Sequence, residues 1–104
     1  MVLNVRQGQK MYIDNDKYDD YIDRNIRIKN YNKTGWTVKA FNDEDSVIRL
    51  KAYRKLGFTN HALIDSHHAV RFEAYSALGW STEALEDPAQ YIRNYAMFLD
   101  SRHY

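Results

Sequence analysis

Apolar and polar positions alternate along this chain with a long period. Four aliphatic-arginine pairs, Ile26-Arg27, Ile48-Arg49, Val70-Arg71 and Ile92-Arg93, stand 22 residues apart. Three further columns keep that register: Asn30/Ala52/Ala74/Ala96, Thr34/Leu56/Leu78 and Tyr31/Tyr53/Tyr75/Met97. With the pairs, the first two of these columns form one stripe at helical spacing, flanked by the Tyr column. Ile28, Leu50 and Phe72 lie on the other side. Apolar positions on two faces predict a helix sandwiched between neighbours. A period of 22 residues predicts stacked small helical units that share one core.

The polar residues punctuate this pattern. Asp43, Asp65 and Asp87 each stand six residues before an arginine, and aspartate at a helix start predicts an N-cap. Pro88, next after Asp87, fits a first-turn proline. The helix is expected to run about twelve residues and stop at Gly35, Gly57 or Gly79 in the left-handed conformation. An aromatic follows each glycine: Trp36, Phe58 or Trp80. Thr37, Thr59 or Ser81 then predicts the cap of a second helix of about one and a half turns, carrying Ala40/Phe41, Ala62/Leu63 or Ala84/Leu85. Neither helix is stable alone in water, so stacking is required. The expected architecture is an all-α, short α-solenoid of about 3.5 units in one domain, residues 21–42, 43–64, 65–86 and 87–104. Residues 1–20, where Val5-Arg6 is followed by no Ala, Tyr or Gly in register, are expected to form an N-terminal cap.

This pattern resembles the HEAT repeat and the leucine-rich variant repeat. The likeness covers roughly residues 20–100 and rests on the Asp-x5-Arg spacing and on strings such as VRFEAYSALGWSTEALEDP. It implies bonds between adjacent units, linking Asp43, Asp65 and Asp87 with Arg27, Arg49, Arg71 and Arg93 as a structural ladder. The unit here is shorter than most HEAT units and lacks the prolines and cysteine cluster of some variant-repeat proteins. The chain is also similar to small repeat proteins of large tailed bacteriophages. That likeness implies a binding module whose partner is a host protein, inhibited or redirected in the host cytoplasm.

Composition narrows the chemistry. Fifteen basic and 14 acidic side chains leave a net charge of +1, which gives no global attraction to nucleic acid. With no cysteine, disulfides, thiolate metal sites and cysteine nucleophiles are excluded, and a reducing cytoplasm is the expected setting. No apolar run approaches membrane-spanning length. The histidines, His61, His67, His68 and His103, lack metal-ligand spacing, and the glycines are separate, so no phosphate loop forms. Neither a cofactor nor an enzymatic activity is expected.

Three surfaces remain as candidates. Positions two, five and six after each arginine point away from the core stripe. They read Lys29, Asn32, Lys33 and then Lys51, Arg54, Lys55 before Glu73, Ser76 and Ala77 break the run. The cations Lys29, Lys33, Lys51, Arg54 and Lys55 form a candidate site for duplex backbone, with steeply salt-dependent affinity. Residues 14–23 carry Asp14, Asp16, Asp19, Asp20 and Asp23 against Lys17, without the glycine and terminal glutamate of an EF-hand loop; they read as a solubilising cap or a phosphate mimic. In the last unit the outer positions are Tyr95, Phe98 and Leu99, apolar where the register asks for polar. Clustered exposed apolar side chains mark partner surfaces, and aromatics are favoured anchors. Protein binding at Tyr95, Phe98 and Leu99 is therefore the leading expectation. Nucleic-acid binding and self-assembly as a homodimer through the same end are the alternatives.

Overall fold

The structure is a computed structural model that describes the backbone of residues 15–101 and the side chains of residues 21–100. It is all-α: among the described residues there are four α-helices, three short 3₁₀ helices and no strand. In chain order these are α1 (Asn15–Thr34), a first 3₁₀ helix (Val38–Asn42), α2 (Ser46–Leu56), a second 3₁₀ helix (Asn60–Ile64), α3 (His68–Leu78), a third 3₁₀ helix (Thr82–Glu86) and α4 (Gln90–Ser101). The chain divides into two compact units, residues 1–36 and 37–104.

In the first unit, α1 runs for 20 residues and passes through position 20, where the N-terminal cap was expected to end. The remainder of that cap, residues 1–14, lies outside the described residues. The helix stops at Gly35, whose N–H donates to the Tyr31 carbonyl at 2.7 Å. Trp36 then folds back, its ring stacking on Tyr31 at 4.8 Å and its indole N–H donating to Asn32 Oδ1 at 2.9 Å. Ile26 was expected in the buried stripe but is 52% exposed, and Asn30 is exposed too. The reason is local. Each of α2, α3 and α4 packs on the 3₁₀ helix that precedes it, and α1 has no such helix before it among the described residues.

In the second unit, Ile48, Val70 and Ile92 are fully buried, as are Ala40, Ala52, Ala62, Ala74, Ala84 and Tyr53. Alanine at these positions lets a 3₁₀ helix and an α-helix approach closely. Two core clusters result. Tyr53, Ala62, Val70 and Ala74 pack with Phe41, Leu50, Phe58 and Leu63. Tyr75, Ala84, Ile92 and Ala96 pack with Leu63, Phe72, Trp80 and Leu85. Leu63 belongs to both and so ties one cluster to the next. Each buried Ile or Val contributes about 1.5–3 kcal/mol relative to an exposed one. Leu56 and Leu78, expected in the core, are exposed. They are the last residues of α2 and α3, where the chain leaves the core. Met97 is exposed as well.

The helix ends differ from the capping read from sequence. Asp65 and Asp87 are not N-caps. The N-cap of α2 is Asp45, which accepts from the Val47 N–H, and that of α3 is His67, whose Nδ1 accepts from Ala69. Asp43, Asp65 and Asp87 stand two residues earlier. Each accepts the N–H of the residue two further on, at 2.8 Å, in an Asx turn. Pro88 accordingly lies in that turn, ahead of α4 rather than in its first turn. Thr37, Thr59 and Ser81 precede the 3₁₀ helices, but their side chains make no capping hydrogen bond. Gly57 (φ 107°, ψ 141°) and Gly79 (φ 113°, ψ 136°) have positive φ but an extended ψ, not the left-handed helical one. That geometry sends the next aromatic back onto the helix just finished: Phe58 stacks on Tyr53 at 5.5 Å and Trp80 on Tyr75 at 5.2 Å.

Candidate functional site at the α4 end

The arginines after Ile48 and Val70 join successive helices. Arg49 donates from Nε and Nη2 to both carboxylate oxygens of Asp65, at 2.8 and 2.9 Å. Arg71 holds Asp87 in the same way, at 2.8 and 3.0 Å. The third nitrogen, Nη1, donates to the carbonyl of the aspartate six residues before, Asp43 for Arg49 and Asp65 for Arg71, at 2.8 Å each. Every N–H edge of the guanidinium is thereby used, in the forked geometry arginine suits best. Burial pushes the Asp65 and Asp87 carboxyls up. The arginine fork, the Asx-turn N–H and nearby positive charge together outweigh it, leaving both below the ordinary carboxylate pKa. At Arg49 and Arg71, the hydrogen bond to the partner carboxylate raises the guanidinium pKa despite the opposing effect of burial. In α1, Arg27 pairs with Asp23, an acid of the 14–23 segment, one turn away on its own helix.

Arg93 repeats half of this arrangement. Its Nη1 donates to the Asp87 carbonyl at 2.7 Å and to the Pro88 carbonyl at 3.0 Å, as Arg49 does to Asp43 and Glu44. Its Nε and Nη2 edge, which in Arg49 and Arg71 grips a carboxylate, holds none among the described residues. About one turn further along α4, Ala96 begins the lining of a groove of about 450 Å³, completed by Trp80, Ser81, Thr82, Leu85, Leu99 and Asp100. Leu85 occupies the place of Leu63, one unit on. Leu63 serves two clusters, whereas Leu85 packs in one and otherwise faces this groove.

The three expected partner residues are all on α4. Tyr95 is 40% and Phe98 54% exposed. Leu99 is half-buried, because it turns into the groove beside Trp80 and Ala96. Tyr95 is braced from below: its ring lies 4.9 Å from Trp80 and 5.5 Å from Phe72. Phe98 extends the array 6.3 Å beyond Tyr95. Tyr91, 44% exposed, was missed by the sequence reading; it stacks on Phe72 at 5.5 Å, and its hydroxyl meets His68 Nδ1 at 2.8 Å. Burial raises its pKa. The missed signal is a spacing of four and three residues: Tyr91, Tyr95 and Phe98 fall on one helical face.

The cations divide between the two units. Lys29 and Lys33 are exposed on α1; Arg54 and Lys55 are exposed on α2, with Lys51 half-buried. On α2 one of these cations is already paired with an acid. Arg54 forms a fork with Glu73 of α3, Nε to Oε1 at 2.8 Å and Nη2 to Oε2. Position five after one arginine therefore lies beside position two after the next, so Glu73 neutralises Arg54 instead of merely ending the run. Among the described residues no group of three His, Asp or Glu side chains is placed to hold a metal ion. Nor is any described helix long and apolar enough to cross a membrane. No protein-family model, curated protein or solved structure matches the chain.

Proposed function

We propose that this chain is a short α-solenoid of about 3.5 units with an N-terminal cap, and that it works without catalysis, by binding another protein at the α4 end. The exposure of Tyr95 and Phe98 carries the reading. They occupy positions that are Lys51 and Arg54 in α2 and Glu73 and Ser76 in α3, yet in α4 they are aromatic and open to solvent. Tyr95, braced on Trp80 and Phe72, and Phe98 beside it give a partner aromatic contact area of the kind that anchors interfaces. The HEAT-like and phage-like features of the sequence favour a host protein as that partner. Engagement of Arg54 by Glu73 weakens the nucleic-acid reading, since a guanidinium already forked to a carboxylate has little left for a phosphate.

Capture from nuclease-treated bacterial lysate tests the proposal, with Phe98→Ser compared against Met97→Ser, an equally exposed apolar residue of the same helix. Phe98→Ser is expected to lose the captured protein and Met97→Ser to keep it. Capture that needs intact nucleic acid, and that fails in Lys51→Glu/Lys55→Glu, contradicts the reading. A dimer of the wild-type chain that Phe98→Ser turns into monomer assigns the α4 end to self-assembly instead.

A further inference from the structure

Resting on that reading, we infer that the α4 end recognises a helix of a second, different polypeptide led by an aspartate in an Asx turn, with Arg93 as the residue that selects the acid. The internal junctions define what such an occupant must carry. Where α3 and α4 dock, the incoming segment brings an aspartate to the Arg fork. Its own Asx turn preorganises that carboxylate, and an aliphatic residue five positions later (Val70 or Ile92) enters the core. The residue eight positions after the aspartate reaches the outer face of the preceding helix, as Glu73 meets Arg54.

At the α4 end the receiving half of such a junction is complete. Arg93 is fixed through Nη1 to two carbonyls, so its Nε and Nη2 edge is aimed as in Arg49 and Arg71. From about one turn further along α4, Ala96 and Leu99 line a groove with Trp80 and Leu85, apolar side chains that suit the aliphatic residue. Phe98 stands where Arg54 stands in α2, so the residue eight positions after the partner's aspartate is expected to be apolar. Asp100, two turns beyond Arg93 on α4, favours a donor at the far rim. A second folded copy of this chain is a poor occupant. Its Asp65 and Asp87 are already held by Arg49 and Arg71, and Asp43 has a partner of its own.

The probe is a synthetic peptide of residues 60–79 carrying Glu73→Leu, which contains Asp65, the α3 sequence and an apolar residue eight positions after the aspartate, added to the full isotope-labelled chain. The Arg93 Nε–H and Trp80 indole N–H resonances are expected to shift saturably. A peptide with Asp65→Asn is expected to bind at least about tenfold more weakly, as befits loss of a charge-assisted fork. The Arg93→Gln chain is expected to bind both peptides alike. Equal affinity of the wild-type chain for both peptides overturns the inference. It leaves the protein-binding reading standing, because that reading is judged by capture and crosslinking in lysate, where the peptide has no part. Since the free peptide must fold on binding, a linked version is also measured. A copy of residues 61–80, again with Glu73→Leu, joined after Tyr104 places its aspartate 16 residues beyond Arg93, the spacing of Arg49 to Asp65. Urea unfolding is expected to show a more stable chain with aspartate than with asparagine at that place. No difference there, with no saturable shift from the peptide, overturns the inference as well.

Discussion

Replacing Asp87 by asparagine removes one charge from the most enclosed ion pair in the described chain. The Arg71 side chain is 11% exposed and that of Asp87 2%. The asparagine oxygen still accepts from the Ala89 N–H and from Arg71 Nη2, but the Nε contact is lost, and Arg71 keeps its charge with only neutral oxygens, this one and the Asp65 carbonyl, for compensation. Removing one partner of a buried pair costs about 3–5 kcal/mol. The retained turn bond places the expected loss near the lower figure, roughly 3 kcal/mol. A domain of this size has about 5–15 kcal/mol of stability in all. The loss should therefore lower Tm by roughly 12–24 °C, at about 4–8 °C per kcal/mol. Urea unfolding followed by helical circular dichroism measures it. Arg71→Met/Asp87→Asn removes the stranded charge, so its loss is expected to fall short of the two single losses summed by more than about 1 kcal/mol. Acid provides a second readout. The Asp87 pKa is depressed in the folded chain, so its contribution is present above the unfolded value of about 3.9 and is lost as pH falls through the lower folded value. Wild-type stability should drop below about pH 4, and Asp87→Asn should flatten that drop. A loss under about 1 kcal/mol at neutral pH, or strict additivity in the double variant, would refute the reasoning.

Other substitutions probe the remaining structure. Gly57→Ala is expected to cost about 1–3 kcal/mol from backbone strain alone, since a Cβ there meets nothing within 4 Å; unchanged urea unfolding would place the positive φ elsewhere. Ile48→Ala should cost about 2–5 kcal/mol, whereas Ile26→Ala, at the same place in the 22-residue register, should stay within about 0.5 kcal/mol because Ile26 is half-exposed. Equal losses in thermal melts would contradict that contrast. His67→Ala should cost about 0.5–2 kcal/mol as a lost N-cap, and His67→Asp, which supplies what Asp45 supplies to α2, should restore it.

Much of the second unit was legible because glycine, alanine and the aliphatic-arginine pair each have one local solution. Gly57 and Gly79 end helices, Ala62 and Ala84 admit close packing, and Ile48, Val70 and Ile92 fill the core. The Asp columns were misassigned as caps because spacing cannot reveal that a carboxylate is already claimed. Arg49 approaches Asp65, and Arg71 approaches Asp87, from a different helix, and after Asp65 the capping of α3 passes to His67. Ile26 has the right residue in the right register, but its exposure depends on an element that α1 does not have before it among the described residues. Glu73 looked like the end of a basic run. The lateral offset between α2 and α3, which pairs it with Arg54, is a tertiary quantity with no trace in a linear count. For the candidate site, Tyr95 and Phe98 stood out by breaking the polar register. The open edge of Arg93 emerged only once the geometry of Arg49 and Arg71 defined what a filled edge looks like.

The most direct test of the α4 end as a protein interface is site-specific photo-crosslinking in nuclease-treated lysate. The aromatic photoprobe p-benzoylphenylalanine replaces Phe98 in one sample and Arg54, at the matching place on α2, in another. The account predicts that irradiation joins the Phe98 probe to one protein and leaves the Arg54 probe unlinked. Crosslinking from the Arg54 position without any from the Phe98 position would contradict it.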